Sequence, residues 1–323
     1  MARRRRNTRW IYAKAALEEI LGRYAPTDGL VRVGRVSRLG GGCSREAWGA
    51  HVELSPDPAR VSGPWVALLP ASSSREDYPT LVHREAELLQ ALGERELPFR
   101  IPRVAGITGT TRPILVLSWV EGLPLDFRAE RAYDGAPPWA LVARLAAQVH
   151  RIDPDSLEVS LPGTLTRQEQ VLDELKIFEG LDEDPFPDAL DWAREQLPDP
   201  EQPNTLLHGD LLGQNILCPL LHRQPLPGLV DWAFVQRGDP ALDLAIVTRG
   251  RRTPFAAGGT PRRLLEAYLE AGGPPVTLDQ IHFYELVMIA AWYKEALEDE
   301  DDGPPPAHYR QQVEGLLRRV SRS

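Results

Sequence analysis

Near the start of the chain, Ile11, Ala15, Leu17, Ile20 and Leu21 recur close to helical spacing, which predicts an amphipathic helix over 10–24. From Leu30 the pattern breaks into short β-rich pieces, LVRVGRVSRL, EAWGAHVEL and WVALL, punctuated by glycine and proline. TLVHREAELLQAL (80–92) returns to helical periodicity. PRVAGITG and RPILVLSWV then read as two more strands, the second apolar enough to be central. After EGLPLDF the character turns helical. PPWALVARLAAQVHRI opens with proline and keeps a broad apolar face. RQEQVLDELKIFEGL, DALDWAREQL, PRRLLEAYLEAGG, TLDQIHFYELVMIAAWYKEALEDE and HYRQQVEGLLRRV continue in the same way. PGLVDWAF interrupts them as a strand-like piece. The expected fold class is α+β: a small lobe over 1–117 with a sheet and one inserted helix, then a larger, mainly helical lobe over 118–323.

Composition narrows the function. At 323 residues the chain is long enough for two lobes. A formal net charge of −9 argues against nucleic acid as the main partner, because phosphate backbones select basic faces. Two cysteines, Cys43 and Cys218, cannot build a disulfide framework and suit a reducing cytoplasm. The MARRRR start leads into a helix carrying Lys14, Glu18 and Glu19, unlike a signal peptide, and reads as a solvated arm. No run approaches the roughly 20 apolar residues of a membrane span. The expectation is a cytoplasmic protein with neither nucleic acid nor membrane as partner.

The chemistry-bearing stretch is LLHGDLLGQNIL, with Asp210 and Asn215 at i and i+5 and His208 just before them. Taken alone it has two readings. One is an Asx-turn loop with a satisfied histidine. The other is phosphoryl transfer, with the Asp accepting a hydroxyl proton and the Asn oxygen taking a metal position, as in the H-x-D-x-x-x-x-N loop of kinases. Asp231, after the strand-like PGLV, decides between them. An acidic residue at a strand end a short step beyond the loop is where kinases hold the Mg²⁺ that bridges two phosphates.

HGDLLGQN followed by LVDWAFVQRGDPALDLA resembles the aminoglycoside phosphotransferase family, a branch of the protein-kinase-like fold. RLGGGCSREAW, HREAELLQAL, ILVLSWVEG and RLAAQVHRID extend the likeness over most of the chain. The resemblance implies an ATP- and Mg²⁺-dependent kinase of a small hydroxylated substrate. It implies Asp210 as catalytic base and Asn215 and Asp231 as metal ligands. Asp243 would brace the loop, and His208 would orient it. Gly40, Gly41, Gly42 and Ser44 would form the turn over the nucleotide, and backbone around Ser118 to Val120 would hold adenine. Cys43 reads as a small filler. The likeness does not select among aminoglycosides, macrolides and other alcohols.

One part is missing. Kinases bring a lysine from the third strand to the phosphates and pair it with a glutamate on the next helix. Glu85 is the first candidate for that glutamate and Glu87 the second, but setting Val66-Ala67-Leu68-Leu69 against V-A-I-K puts Leu69 where the cation belongs. Three explanations stand: another cation, Arg45 or Arg75, reaches in; the chain is a nucleotide-binding pseudokinase or sensor; or the strand aligns differently. Elsewhere, EALEDEDDG (295–303) reads as a solvated helix end, and Phe283, Tyr284, Trp292 and Tyr293 read as core.

Overall fold

The computed structural model describes residues 8–39, 45–57, 60–71, 77–109, 111–220, 226–249, 261–298 and 303–321. The chain divides into two compact units. The first comprises Met1–Leu123, Leu157–Ser160 and Pro219–Ala233; the second comprises Pro124–Ser156, Leu161–Cys218 and Phe234–Ser323.

The first unit is built on an antiparallel sheet. Its strands are β1 (Leu30–Val33), β2 (Ser37–Arg38), β3 (Arg45–Ser55), β4 (Gly63–Pro70), β5 (Val104–Thr108) and β6 (Ile114–Ser118). Their order is β1-β3-β4-β6-β5, with β2 paired to β3. Helix α1 (Arg9–Gly22) precedes the sheet, and α2 (Tyr78–Gly93) joins β4 to β5. Helix α1 buries Ala13, Ala16, Leu17, Ile20 and Leu21, a stripe at i, i+3, i+4, i+7 and i+8. That stripe belongs to one cluster with Trp48, Ala50, Trp65, Ala67, Leu69 and Val116.

The strand register shows which face this is. Glu46 stands opposite Leu69, Trp48 opposite Ala67, and Ala67 opposite Val116. Directly opposed residues of antiparallel strands project to the same side, so all of these lie on the α1 face. Arg9 of α1 agrees, since it donates to Glu46 at 3.2 Å and also bonds the Pro70 carbonyl. The alternating residues, Arg45 and Ala47 on β3 and Val66 and Leu68 on β4, belong to the other face, where Arg45 meets Glu85 of α2. This corrects the alignment that placed Leu69 at the phosphate-facing position. Leu69 is core beneath α1, and Leu68 is the β4 residue that shares a face with Arg45.

In the second unit the helices are α3 (Pro138–His150), α4 (Arg167–Glu174), α5 (Phe186–Arg194), α6 (Pro240–Arg249), α7 (Pro261–Glu270), α8 (Leu278–Glu298) and α9 (Pro306–Val320). Helix α8 is buried on most sides, including Phe283, Tyr284 and Tyr293, as expected of core; Trp292 is half-buried with its ring 6.4 Å from that of Tyr309. Strands β7 (Thr205–Leu207) and β8 (Gln236–Gly238) pair antiparallel, with Leu206 opposite Arg237. The loop after β7 carries Asp210 and Asn215. Helix α6 was not anticipated: its buried positions, Pro240, Ala241, Asp243, Leu244, Ala245, Val247 and Thr248, wrap round the helix and leave no one-sided stripe.

Candidate active site

In the second unit, the 208–215 loop is held by buried hydrogen bonds. Asp243, fully buried on α6, accepts the backbone N–H groups of His208 at 2.8 Å and Gly209 at 2.9 Å. It also lies 3.1 Å from His150 Nε2 on α3, and His150 Nδ1 lies 2.9 Å from the Tyr268 hydroxyl on α7. The chain Asp243–His150–Tyr268 thus links three helices behind the carboxylate that fixes the loop. Burial pushes the Asp243 carboxyl up, but the His150 hydrogen bond, the charges of His150 and His208 and the loop amide outweigh it, leaving Asp243 below the ordinary 3.8. His208 is fully buried and its Nδ1 accepts the Asp210 N–H at 3.3 Å, which gives it an orienting place.

Gly209 adopts φ +80, and an added Cβ would overlap the Phe234 carbonyl oxygen. Both the left-handed backbone and the close approach require glycine. Gly209→Ala is therefore expected to cost about 2 kcal/mol or more, seen as a lowered denaturation midpoint. An unchanged midpoint would contradict this account of the loop.

Within the loop, Asn215 is buried and its amide nitrogen donates to the Asp210 carbonyl and to Asp210 Oδ2, both at 2.8 Å. The amide nitrogen is thereby committed, and the side-chain oxygen is the remaining donor atom for a cation. The same bond fixes the Asp210 carboxylate, which is half-buried.

In the first unit, Arg45 lies between two carboxylates. Its guanidinium bonds Glu85 through both terminal nitrogens, Nη1 to Oε2 and Nη2 to Oε1 (the latter at 3.3 Å), and Nη2 also bonds Asp231 Oδ1. Arg45 and Glu85 are buried, whereas the Asp231 side chain is 32 % exposed. Burial works against the charged guanidinium, but Glu85 and then Asp231 overcome it and raise its proton affinity further, so Arg45 is a permanent cation. Glu85 Oε1 also accepts the Trp232 N–H at 3.1 Å, and the Trp232 ring stacks on Phe99 with centroids 6.3 Å apart. Glu87 is exposed. Asp231 has φ +66, a conformation rare for non-glycine residues and concentrated at functional sites.

Tyr78 at the start of α2 lies within electrostatic reach of Arg45. Burial pushes its hydroxyl up to about 12, so it stays protonated, and that buried oxygen has no hydrogen-bond partner among the described residues. Sequence reasoning missed Tyr78, His150 and Tyr268. None stands in a spacing that signals its partner, which the fold alone supplies.

At the end of β6, Ser118 exchanges bonds with Arg103: its backbone N–H donates to the carbonyl and its hydroxyl accepts the N–H, both at 2.8 Å. Trp119 N–H donates to Pro64 O at 3.2 Å, while Val120 N–H makes no hydrogen bond among the described residues. Ser118 to Val120 line a cavity of about 300 Å³ with Trp65, Arg100 and Arg103. Gly40, Gly41, Gly42, Cys43, Ser44 and Arg75 lie outside the described residues.

The chemistry of the donors fits magnesium. A carboxylate at Asp231 and an amide oxygen at Asn215 are hard oxygen ligands of the kind Mg²⁺ accepts. Among the described residues no three His, Cys, Asp or Glu side chains form a metal cluster.

A profile of the phosphotransferase enzyme family (APH) matches residues 58–284. Viomycin phosphotransferase of Streptomyces vinaceus is 32 % identical over 180 residues, a match spanning 50 % of this chain and 60 % of that protein. Among solved structures, the GDP and kanamycin complex of APH(2")-IIia is similar with a TM-score of 0.60 at 18 % identity, covering 95 % of this chain and 97 % of that one. Spectinomycin phosphotransferase APH(9)-Ia, in complex with ADP and spectinomycin, gives a TM-score of 0.57 at 13 % identity, covering 94 % and 98 %. These likenesses establish the α+β, protein-kinase-like fold, and the profile, spanning more than half of the chain, establishes the family. The chain belongs to the phosphotransferase enzyme family.

Proposed function

We propose that the chain is an ATP- and Mg²⁺-dependent O-phosphotransferase that moves the γ-phosphoryl group to a hydroxyl of a small molecule. Asp210 orients that hydroxyl and accepts its proton. Asn215 and Asp231 hold Mg²⁺, which when bound neutralises charge on the phosphates. Arg45 on β3, paired with Glu85, supplies the phosphate-facing cation that β4 lacks. Backbone at Ser118 and Val120 meets the base of the nucleotide. Catalysis of this kind is mostly positioning and charge neutralisation.

The single observation carrying this reading is Arg45 opposite Glu85. A pseudokinase was the alternative because β4 offers leucine where a cation is expected. A permanent cation delivered from β3 to the same glutamate supports an active enzyme over that alternative. The acceptor is proposed to be cationic. The segments of the second unit carry 31 acidic against 18 basic residues, those of the first 15 against 19, and excess carboxylates favour cationic ligands.

The test is thermal melting with Mg·ATP. The midpoint should climb with concentration, by the equivalent of about 2.7 kcal/mol at a hundredfold excess over Kd. No shift at millimolar nucleotide would count against nucleotide use altogether. A shift without phosphorylation of any cationic alcohol would favour a sensor.

A further inference from the structure

Arg45 engages Asp231 as well as Glu85. Arg45 holds Glu85 with both terminal nitrogens and reaches Asp231 with one of them. The arrangement is lopsided. Glu85 is almost fully buried and also tied to the Trp232 amide. Asp231 keeps a third of its side chain in solvent, on a backbone anchored by its neighbour Trp232. Breaking the Asp231 contact leaves both Glu85 bonds intact; breaking the Glu85 contacts would strand a buried carboxylate. The Asp231 contact is thus the one that can open.

We propose that Arg45 gates the metal carboxylate, so that a divalent cation binds Asp231 only together with nucleotide. Without nucleotide, the guanidinium covers an oxygen that a metal would coordinate, and its charge repels a second cation. Phosphate oxygens entering on the Arg45 face compete for the Nη2 donor, since a guanidinium prefers phosphate in a forked geometry. Asp231 is then released to the metal while Glu85 keeps Arg45 in place. Strand lysine and divalent metal are separate groups in kinases; here one arginine couples them. This inference rests on the reading of Asp231 as a metal ligand.

The probe is Mn²⁺ alone, titrated into nucleotide-free protein and followed by the paramagnetic resonance of the free ion. Wild type should bind it weakly, and a non-hydrolysable ATP analogue should tighten it at least about tenfold, with Mn²⁺ tightening the analogue by the same factor. Arg45→Met should bind Mn²⁺ at least about tenfold more tightly than wild type without nucleotide, and adding Asp231→Asn should abolish the gain. Arg45→Lys, which keeps a charge beside Glu85 but cannot fork to both carboxylates, should gain in the same direction and serves if Arg45→Met does not fold. Equal Mn²⁺ affinity in wild type and the folded variants, or a gain that survives Asp231→Asn, overturns the gate. A gain in the variants with no nucleotide binding by wild type would support the Arg45–Asp231 contact and sink the phosphotransferase reading instead.

Discussion

Asp210→Asn is expected to slow phosphoryl transfer by about 10²–10⁴-fold, the usual contribution of a positioned general base. The substitution keeps size and shape. The Asn215 amide can still donate to the residue 210 carbonyl and to a side-chain oxygen, as it does now at 2.8 Å each. The Asp243 anchor acts on His208 and Gly209, upstream of the change. Melting temperature and nucleotide affinity should therefore hold while turnover collapses. A variant that turns over at the wild-type rate would remove Asp210 from the chemistry, and one that melts much earlier would make the residue structural.

The second large effect is on stability. Asp243→Asn should destabilise the protein by about 3–5 kcal/mol, as expected when one member of a buried charged network is removed. An amide has one oxygen for the two backbone N–H groups and the imidazole that the carboxylate serves now. The pH dependence follows from the depressed carboxyl. A group whose folded value lies below its ordinary 3.8 contributes stability that is complete above 3.8 and fades as pH falls through the folded value. The stability gap between wild type and Asp243→Asn should thus be constant near neutrality and narrow below 3.8. A gap that widens in acid would refute the role of the ionised carboxylate.

Much of this was readable from the chain, for identifiable reasons. Helix α1 has one dry face, so Leu17, Ile20 and Leu21 announce it. In β3, buried Val52 and Leu54 alternate with exposed His51 and Glu53. The middle of β4 is different. Trp65-Val66-Ala67-Leu68-Leu69 is apolar on both faces, so no alternation reveals which residues point where. A one-residue shift exchanges the faces, which is how Leu69 came to stand for Leu68. Helix α6 was hidden because its buried positions wrap round it and its one acidic residue, Asp243, is buried. The Arg45–Glu85–Asp231 contact joins residues up to 186 positions apart, and it depends on the β3–β4 register and the seat of α2. The left-handed backbone at Asp231 has no sequence signature at all, since aspartate tolerates that conformation without demanding it.

The central claim, phosphoryl transfer from nucleotide to a small-molecule hydroxyl through Asp210, is tested most directly by mass spectrometry of the acceptor. Wild type and Asp210→Asn would each be incubated with Mg·ATP and a panel of cationic hydroxylated molecules, including cyclic peptides and aminosugars. The account predicts one panel member heavier by a single phosphoryl group with wild type and unchanged with Asp210→Asn. An acceptor phosphorylated equally by both proteins would contradict it.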